Sequence, residues 1–468
     1  MTSVEKLAAF VAGVTDDDLS ADVRLQLKIR ILDTLGCAIG ALGSAIASQL
    51  RAHTEEFGSG GRCTLIGGAR SAPDRAAFFN SALVRYLDFN DSYLAKDETC
   101  HPSDNLGAVL AACEYAGRSG RDFLTALAVA YQVQCRLSDV APVRAKGFDH
   151  TTQGSYAVAA GVAKALGLDE QRTAHALAIC GTAFNALRVT RTGALSNWKG
   201  LAYANTAFGC THATLLATRG ITGPLEVFEG NKGFMDSIAG PFEIDWHQEK
   251  LDRVARTILK KYNAEIHSQS AIDGALELKR QHGLTGHEVE QVDIEIFDVA
   301  FHIIGGGEEG DKRSVRSKEE ADHSLPYLIA VALLDGNVMP AQFLPDRIRD
   351  AGVQELLRKV RIRPSEEFSR RFPKELPCQL SLRLRDGRTI SVEKHDYEGF
   401  TTNPASWETV LRKFQALTEP HTTSSMRERI AEAVGNLERI EIRKLTDLLR
   451  QITPAPVDRE EGVHLYGP

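Results

Sequence analysis

Residues 378–394 read CQLSLRLRDGRTISVEK. Two runs with alternating apolar residues flank Asp386-Gly387, a pattern that predicts an antiparallel hairpin closed by a type I′ turn. Two more stretches alternate in the same way. One is VEQVDIEIF at 289–297, through Val292, Ile294 and Ile296; the other is residues 359–363. Period-two alternation is the strand signature. Outward from these strands the spacing becomes helical. Residues 267–281 and 321–334 read as helices within the same region. Before about residue 262 the chain reads as helices in series, at 20–42, 76–86, 106–116, 121–137, 156–166, 170–183 and 201–219. After Asn403-Pro404 helices return, through Trp407 and Leu411 and then at 424–434 and 438–452. The expected fold class is mainly α. A large all-α helical domain, residues 1–267 with 397–468, carries a smaller inserted α+β domain at 268–396. Ala and Gly in the helices imply close helix packing. The tail, 454–468, reads as loosely ordered.

Composition narrows the function. The chain has 468 residues, 43% hydrophobic and 25% charged, with a net charge of −7. An acidic balance argues against a nucleic-acid partner, and no apolar run is long enough for a membrane span. The first twenty residues, MTSVEKLAAFVAGVTDDDLS, read as an amphipathic helix rather than a signal peptide. The eight cysteines are scattered and form no C-x-x-C pair, so neither a zinc site nor a redox motif is expected. A reduced, cytoplasmic compartment fits them. No P-loop, dinucleotide fingerprint, H-E-x-x-H or nucleophile elbow occurs, so no cofactor and no metal are expected.

The densest polar stretch is residues 86–105, YLDFNDSYLAKDETCHPSDN. Asp88, Asp91, Asp97, Glu98 and Asp104 surround His101, between two helical patterns. Pro102 biases His101 toward an extended backbone, and Ser103 or Asp104 can cap the helix that follows. A histidine held at such a junction among acids is a candidate acid/base centre; a solvated loop between helices is the plainer reading. Further polar groups sit at other junctions. His150 lies in GFDHTT before a helix. Arg188, Arg191 and Lys199 precede the helix at 201, where cations at a helix start suit a carboxylate. Lys260, Lys261 and His267 fall in LKKYNAEIHSQSAID. His323 and Tyr327 are one helical turn apart.

Together these segments resemble the MmgE/PrpD family. The resemblance is carried by LDTLGCAIGAL, RYLDFNDSY, HPSDN, GFDHTTQGSYAVAA, GTAFNALR, SNWKGLAYANTAFG, GNKGFMDSIAG, KKYNAEIHSQSAID and RSKEEADHSLPYLIAVALLDG, in family order over about residues 30–340. It implies a helical domain with an α+β lid domain, a homodimer and a site without metal or organic cofactor. Asp88, His101, His150, Lys199 and Tyr327 match its catalytic positions. Lys261, His267 and Arg191 are assigned to substrate binding, with Lys260 competing for the place of Lys261 and the family's histidine falling at His267 or nearer Glu265. The implied activity is cofactor-independent dehydration of the tricarboxylate 2-methylcitrate, with citrate as a possible second substrate. The alternatives are decarboxylation of cis-aconitate or epimerisation of a related dicarboxylate; a non-catalytic carboxylate binder is the third.

Overall fold

The computed structural model describes residues 1–455 apart from 96 and 194. Most of the expected loose tail, 456–468, therefore lies outside the described residues. The described residues are mainly helical, with one four-stranded sheet and two small ribbons among them. Its residues form two compact units. Among the described residues the first takes Met1–Thr190, Gly200–Thr257 and 406–455; the second takes Arg191–Lys199 and Ile258–Ala405.

In the first unit, sequence-encoded caps start several helices. Ser20 Oγ accepts from the Val23 amide at 3.2 Å ahead of Ala21–Gly40. Ser119 and Asp122 form a capping box at Gly120–Val140. Leu106–Ala116 and Thr151–Leu166 end on Gly117 and Gly167, both at positive φ. Thr151–Leu166 is buried almost all round, as a central helix must be. Small residues let its neighbours approach: a Cβ on Gly161 would lie 2.9 Å from Ala130 Cβ and Val109 Cγ2. The C-terminal helices complete this unit. Trp407–Thr418 lies on Ala21–Gly40, where a Cβ on Gly36 would come within 3.2 Å of Phe414 Cα. The Gly120 amide donates to Ile440 O at 2.8 Å.

The helical reading of the first 262 residues omits Ala45–Gly58 and two ribbons, Ser59–Thr64 with Arg70–Ser71 and Tyr93–Leu94 with Thr99–Cys100. Three of these four strands have only two residues and no period to read, and Ser59–Thr64, SGGRCT, has no apolar alternation.

The second unit is built on the sheet. Its order is Val360–Pro364, Val289–Ile296, Cys378–Leu384, Thr389–Lys394, with the first pair parallel and the others antiparallel. Val292, Ile294, Ile296, Leu380 and Leu382 are buried, so alternation does set the inner face. Gln269–His282 packs against the last strand, where Gly274 gives room to Val392. Leu325–Asp335, LPYLIAVALLD, is buried along nearly its whole length.

The hairpin forms where expected, but its turn is not type I′. Leu384 and Arg388 pair across three loop residues, and the Gly387 amide donates to Leu384 O at 3.0 Å. Gly387 has φ +87° while Asp386 stays at negative φ. This is a tight turn followed by a left-handed glycine, the common three-residue solution. No atom lies within 4 Å of a Cβ placed on Gly387, so only backbone strain opposes a side chain there. Gly387→Ala should cost about 1 kcal/mol, read as weakened hydrogen-exchange protection along Cys378–Leu384 and Thr389–Lys394. Unchanged protection would favour a different turn.

Candidate active site

In the first unit the helix Pro73–Tyr86 delivers Arg85 in its last turn. Two residues beyond it the backbone reverses at Asp88, with φ +53°, a left-handed conformation that Asp tolerates better than most residues. The reversal folds the Asp88 carboxylate back onto the Arg85 guanidinium, a tight and buried ion pair. Arg85 Nη2 also lies 3.1 Å from His101 Nε2, and its Nε 3.8 Å from Asp104 Oδ2.

A guanidinium can only donate, so His101 Nε2 is the acceptor. His101 Nδ1 then carries the proton and donates to Asp91 O at 2.7 Å, with Ser92 Oγ at 3.1 Å. His101 is thereby fixed as one neutral tautomer.

The surrounding acids are mostly braces. Asp91 accepts from the Ser103 amide at 3.0 Å, Ser103 Oγ at 2.6 Å and Tyr131 Oη at 2.8 Å. Burial pushes its carboxyl up, against the pull of those bonds. Asn90 Nδ2 donates to Ser103 Oγ and Asp104 Oδ1, both at 2.8 Å. Ser103 and Asp104 therefore do not cap the following helix. They lie inside the turn Pro102–Asn105 and tie it to the opposite side of the stretch. Glu98 accepts from the Val143 and Arg144 amides, and Asp97 is exposed.

His150 precedes Thr151–Leu166, and its ring meets His101 edge-on with centroids 5.4 Å apart. It stacks on Tyr203 at 6.2 Å, and its Nδ1 is 3.3 Å from Asp149 Oδ1. Asp88, His101 and His150 thus share one buried cluster, with Arg85 as its unforeseen centre.

In the second unit Lys199 Nζ lies 2.8 Å from Asp322 Oδ1 and 2.9 Å from His323 Nδ1. Lys318 Nζ holds the other carboxylate oxygen at 2.7 Å. Burial alone would raise the Asp322 carboxyl; Lys199, Lys318 and His323 outweigh it and hold it well below the usual carboxylate range. Arg191 Nη1 donates to Lys199 O at 3.1 Å and so braces the backbone at Lys199. The Glu265 amide donates to Asp322 O at 2.9 Å. Glu265 Oε1 lies 2.6 Å from His267 Nδ1, and Oε2 accepts the His267 amide at 2.7 Å. Burial opposes ionisation of Glu265, but His267, His323 and Lys260 bring its pKa down to about 2. His267 is 1% exposed, rests on Phe297 and Phe372, and its Nε2 has no partner among the described residues.

Two sequence assignments do not join this cluster. Lys261 is bound to Asp273 at 2.7 Å and lines an open cleft with Tyr262, Glu277 and Arg280. Lys260 is the buried member of the pair and the one acting on Glu265. The Tyr327 hydroxyl donates to Gln342 O, and its ring packs on Phe343. The charges acting on it are Arg347, Asp335 and Asp350. Both hydrogen bonds join residues twelve or more apart in the chain, so neither could be read from local spacing. Asp322, Lys318 and Arg85 escaped notice although Lys318–Asp322 and Arg85–Asp88 have helical i,i+4 and i,i+3 spacing.

The cluster predicts a pH dependence. With its folded pKa depressed to about 2 from 4.5, Glu265 contributes stability that is complete above pH 4.5. That contribution is lost as pH falls toward 2. It amounts to about 3 kcal/mol. Glu265→Gln should flatten the dependence of the urea midpoint over that acid window; an unchanged slope would contradict the pairing.

Comparison with known proteins identifies relatives of the chain. The MmgE/PrpD N-terminal domain matches residues 5–247 and the MmgE/PrpD C-terminal domain residues 262–439. Cis-aconitate decarboxylase of Mus musculus is 26% identical over 98% of this chain and 95% of its own length. 2-Methylcitrate dehydratase of Escherichia coli K12 is 28% identical over 70% of this chain and 71% of its own. Alkylcitrate dehydratase phiI of a fungal species is 28% identical over 83% and 82%. With both domains matched in order across nearly its whole length, the chain belongs to the MmgE/PrpD family.

Proposed function

We propose that this protein is a hydro-lyase that dehydrates 2-methylcitrate to 2-methyl-aconitate by acid–base chemistry, with citrate as a possible second substrate. The observation that supports it is the pair of touching imidazoles, one of them fixed neutral by Arg85. Elimination needs a base for the proton α to a carboxylate and an acid for the departing hydroxyl.

His101 is assigned the base, with Nδ1–H held on Asp91 O; its Nε2 lone pair, which accepts from Arg85, takes the substrate proton once that donor gives way. His150 suits the acid, because Asp149 beside Nδ1 is a counter-ion for its protonated form. The α C–H proton passes to His101 Nε2, its electron pair becomes the alkene, the C–O bond breaks, and the hydroxyl leaves as water with the His150 proton. Asp88 holds Arg85 in place.

Lys199, Lys260 and His267 Nε2 are the groups assigned to the substrate carboxylates, where cations lower the cost of an enolate-like dianion. Arg191 supports Lys199. Tyr327 and Lys261 are left out of the reading by the bonds described above. No cofactor is assigned a step. The reading includes a cytoplasmic homodimer; among the described residues no single helix is long and apolar enough to cross a membrane.

Decarboxylation of cis-aconitate is the second reading, because the mouse decarboxylase aligns with 98% of the chain. It would use the same cations and a proton donor to the carbanion.

Purified protein with EDTA, offered 2-methylcitrate, citrate and cis-aconitate, should raise the alkene absorbance from 2-methylcitrate. Carbon dioxide from cis-aconitate with no alkene from the others would move the assignment to the decarboxylase. His101→Gln should lower turnover by about 10²–10⁴-fold, and Lys199→Met should do so with a raised KM. Near-normal turnover in both would remove these residues from the site.

A further inference from the structure

Helix Ala21–Gly40 and helix Trp407–Thr418 lie far apart in the chain and meet beneath residues 86–105. Asp33, on the first, is wholly buried. Lys413, on the second, reaches it with Nζ 2.8 Å from Asp33 Oδ1. The same ammonium donates to Phe89 O at 2.7 Å and stands 3.7 Å from the centre of the Phe89 ring. A buried ion pair is an expensive way to join two helices, since well-packed apolar residues do as well or better. The third partner gives this pair another use. Phe89 is the residue between Asp88, at its left-handed turn, and Asn90.

Both nitrogens of His101 depend on the residues beside Phe89. Nε2 is bonded to Arg85, which Asp88 holds. Nδ1 is bonded to the carbonyl of Asp91, two residues after Phe89. Fixing the Phe89 carbonyl and ring therefore fixes the two anchors of one imidazole. Asp33 aims the lysine, with a carboxylate oxygen 2.8 Å from its Nζ, and Lys413 makes the contact.

We propose that Asp33 and Lys413 are positioning residues that clamp Phe89 and thereby set the tautomer and orientation of His101. The inference rests on the reading of His101 as the base, and it extends the site to two residues that touch no reacting atom. It assigns the helix Trp407–Thr418 a part in the chemistry and not only in the fold.

The test compares wild type with Asp33→Asn/Lys413→Met, which removes both charges together, and with Lys413→Arg, which keeps the pairing but displaces the donor. Three quantities are read: the thermal midpoint, kcat and KM on 2-methylcitrate, and the ¹⁵N signals of the His101 ring, assigned by their loss in His101→Gln. The clamp predicts a double variant with a midpoint within a few degrees of wild type. Its kcat falls at least tenfold at nearly constant KM, and its His101 nitrogens no longer report a single Nδ1–H tautomer. Lys413→Arg should fold and show the same direction more weakly. Wild-type His101 signals in both variants would overturn the clamp, whatever happens to the midpoint. Full turnover in His101→Gln would instead overturn the reading of His101 while leaving the clamp to be judged by the ring signals.

Discussion

The guanidinium of Arg85 is a rigid fork with donors and no acceptor, and that property organises the first unit's site. One prong holds Asp88, and Nη2 faces His101 Nε2. Because the fork cannot accept, the histidine must, and its proton is forced to the other nitrogen. The left-handed backbone at Asp88, the bond from His101 to Asp91 O and the turn Pro102–Asn105 are arranged around this single donor. A lysine in its place would supply the charge without the two-pronged geometry.

The second unit uses the opposite logic. There the anions Asp322 and Glu265 are the fixed points, and Lys199, Lys318, Lys260 and the histidines gather on them. Burial opposes each carboxylate, so each depends on its cations to stay ionised. The cations in turn are held at defined places, Lys199 and Lys318 each on one oxygen of Asp322.

Much of this was legible in the sequence, and the limits have physical reasons. The helix series and the hairpin at 378–394 follow from periodicity, and His101 and His150 from their junctions with helices. Arg85 stands in the last turn of Pro73–Tyr86, and its bonds to His101 and Asp104 join residues that only the folded chain brings together. Lys260 and Lys261 are chemically identical in the sequence. Only the irregular segment before Gln269–His282 decides that one is buried and the other bound to Asp273. Tyr327 was assigned by its motif, while its hydroxyl is used fifteen residues away at Gln342. The Asp-Gly turn was misread because the dipeptide suits both a two-residue loop and the second half of a three-residue one.

The central claim is that His101, held as one neutral tautomer by Arg85, takes the proton that starts the elimination. Proton NMR of 2-methylcitrate incubated in D₂O with wild type and His101→Gln tests it most directly. The account predicts that wild type converts the substrate to an alkene while the variant neither forms alkene nor exchanges the α proton for deuterium. Exchange in the variant at the wild-type rate would contradict it, and would place the base elsewhere.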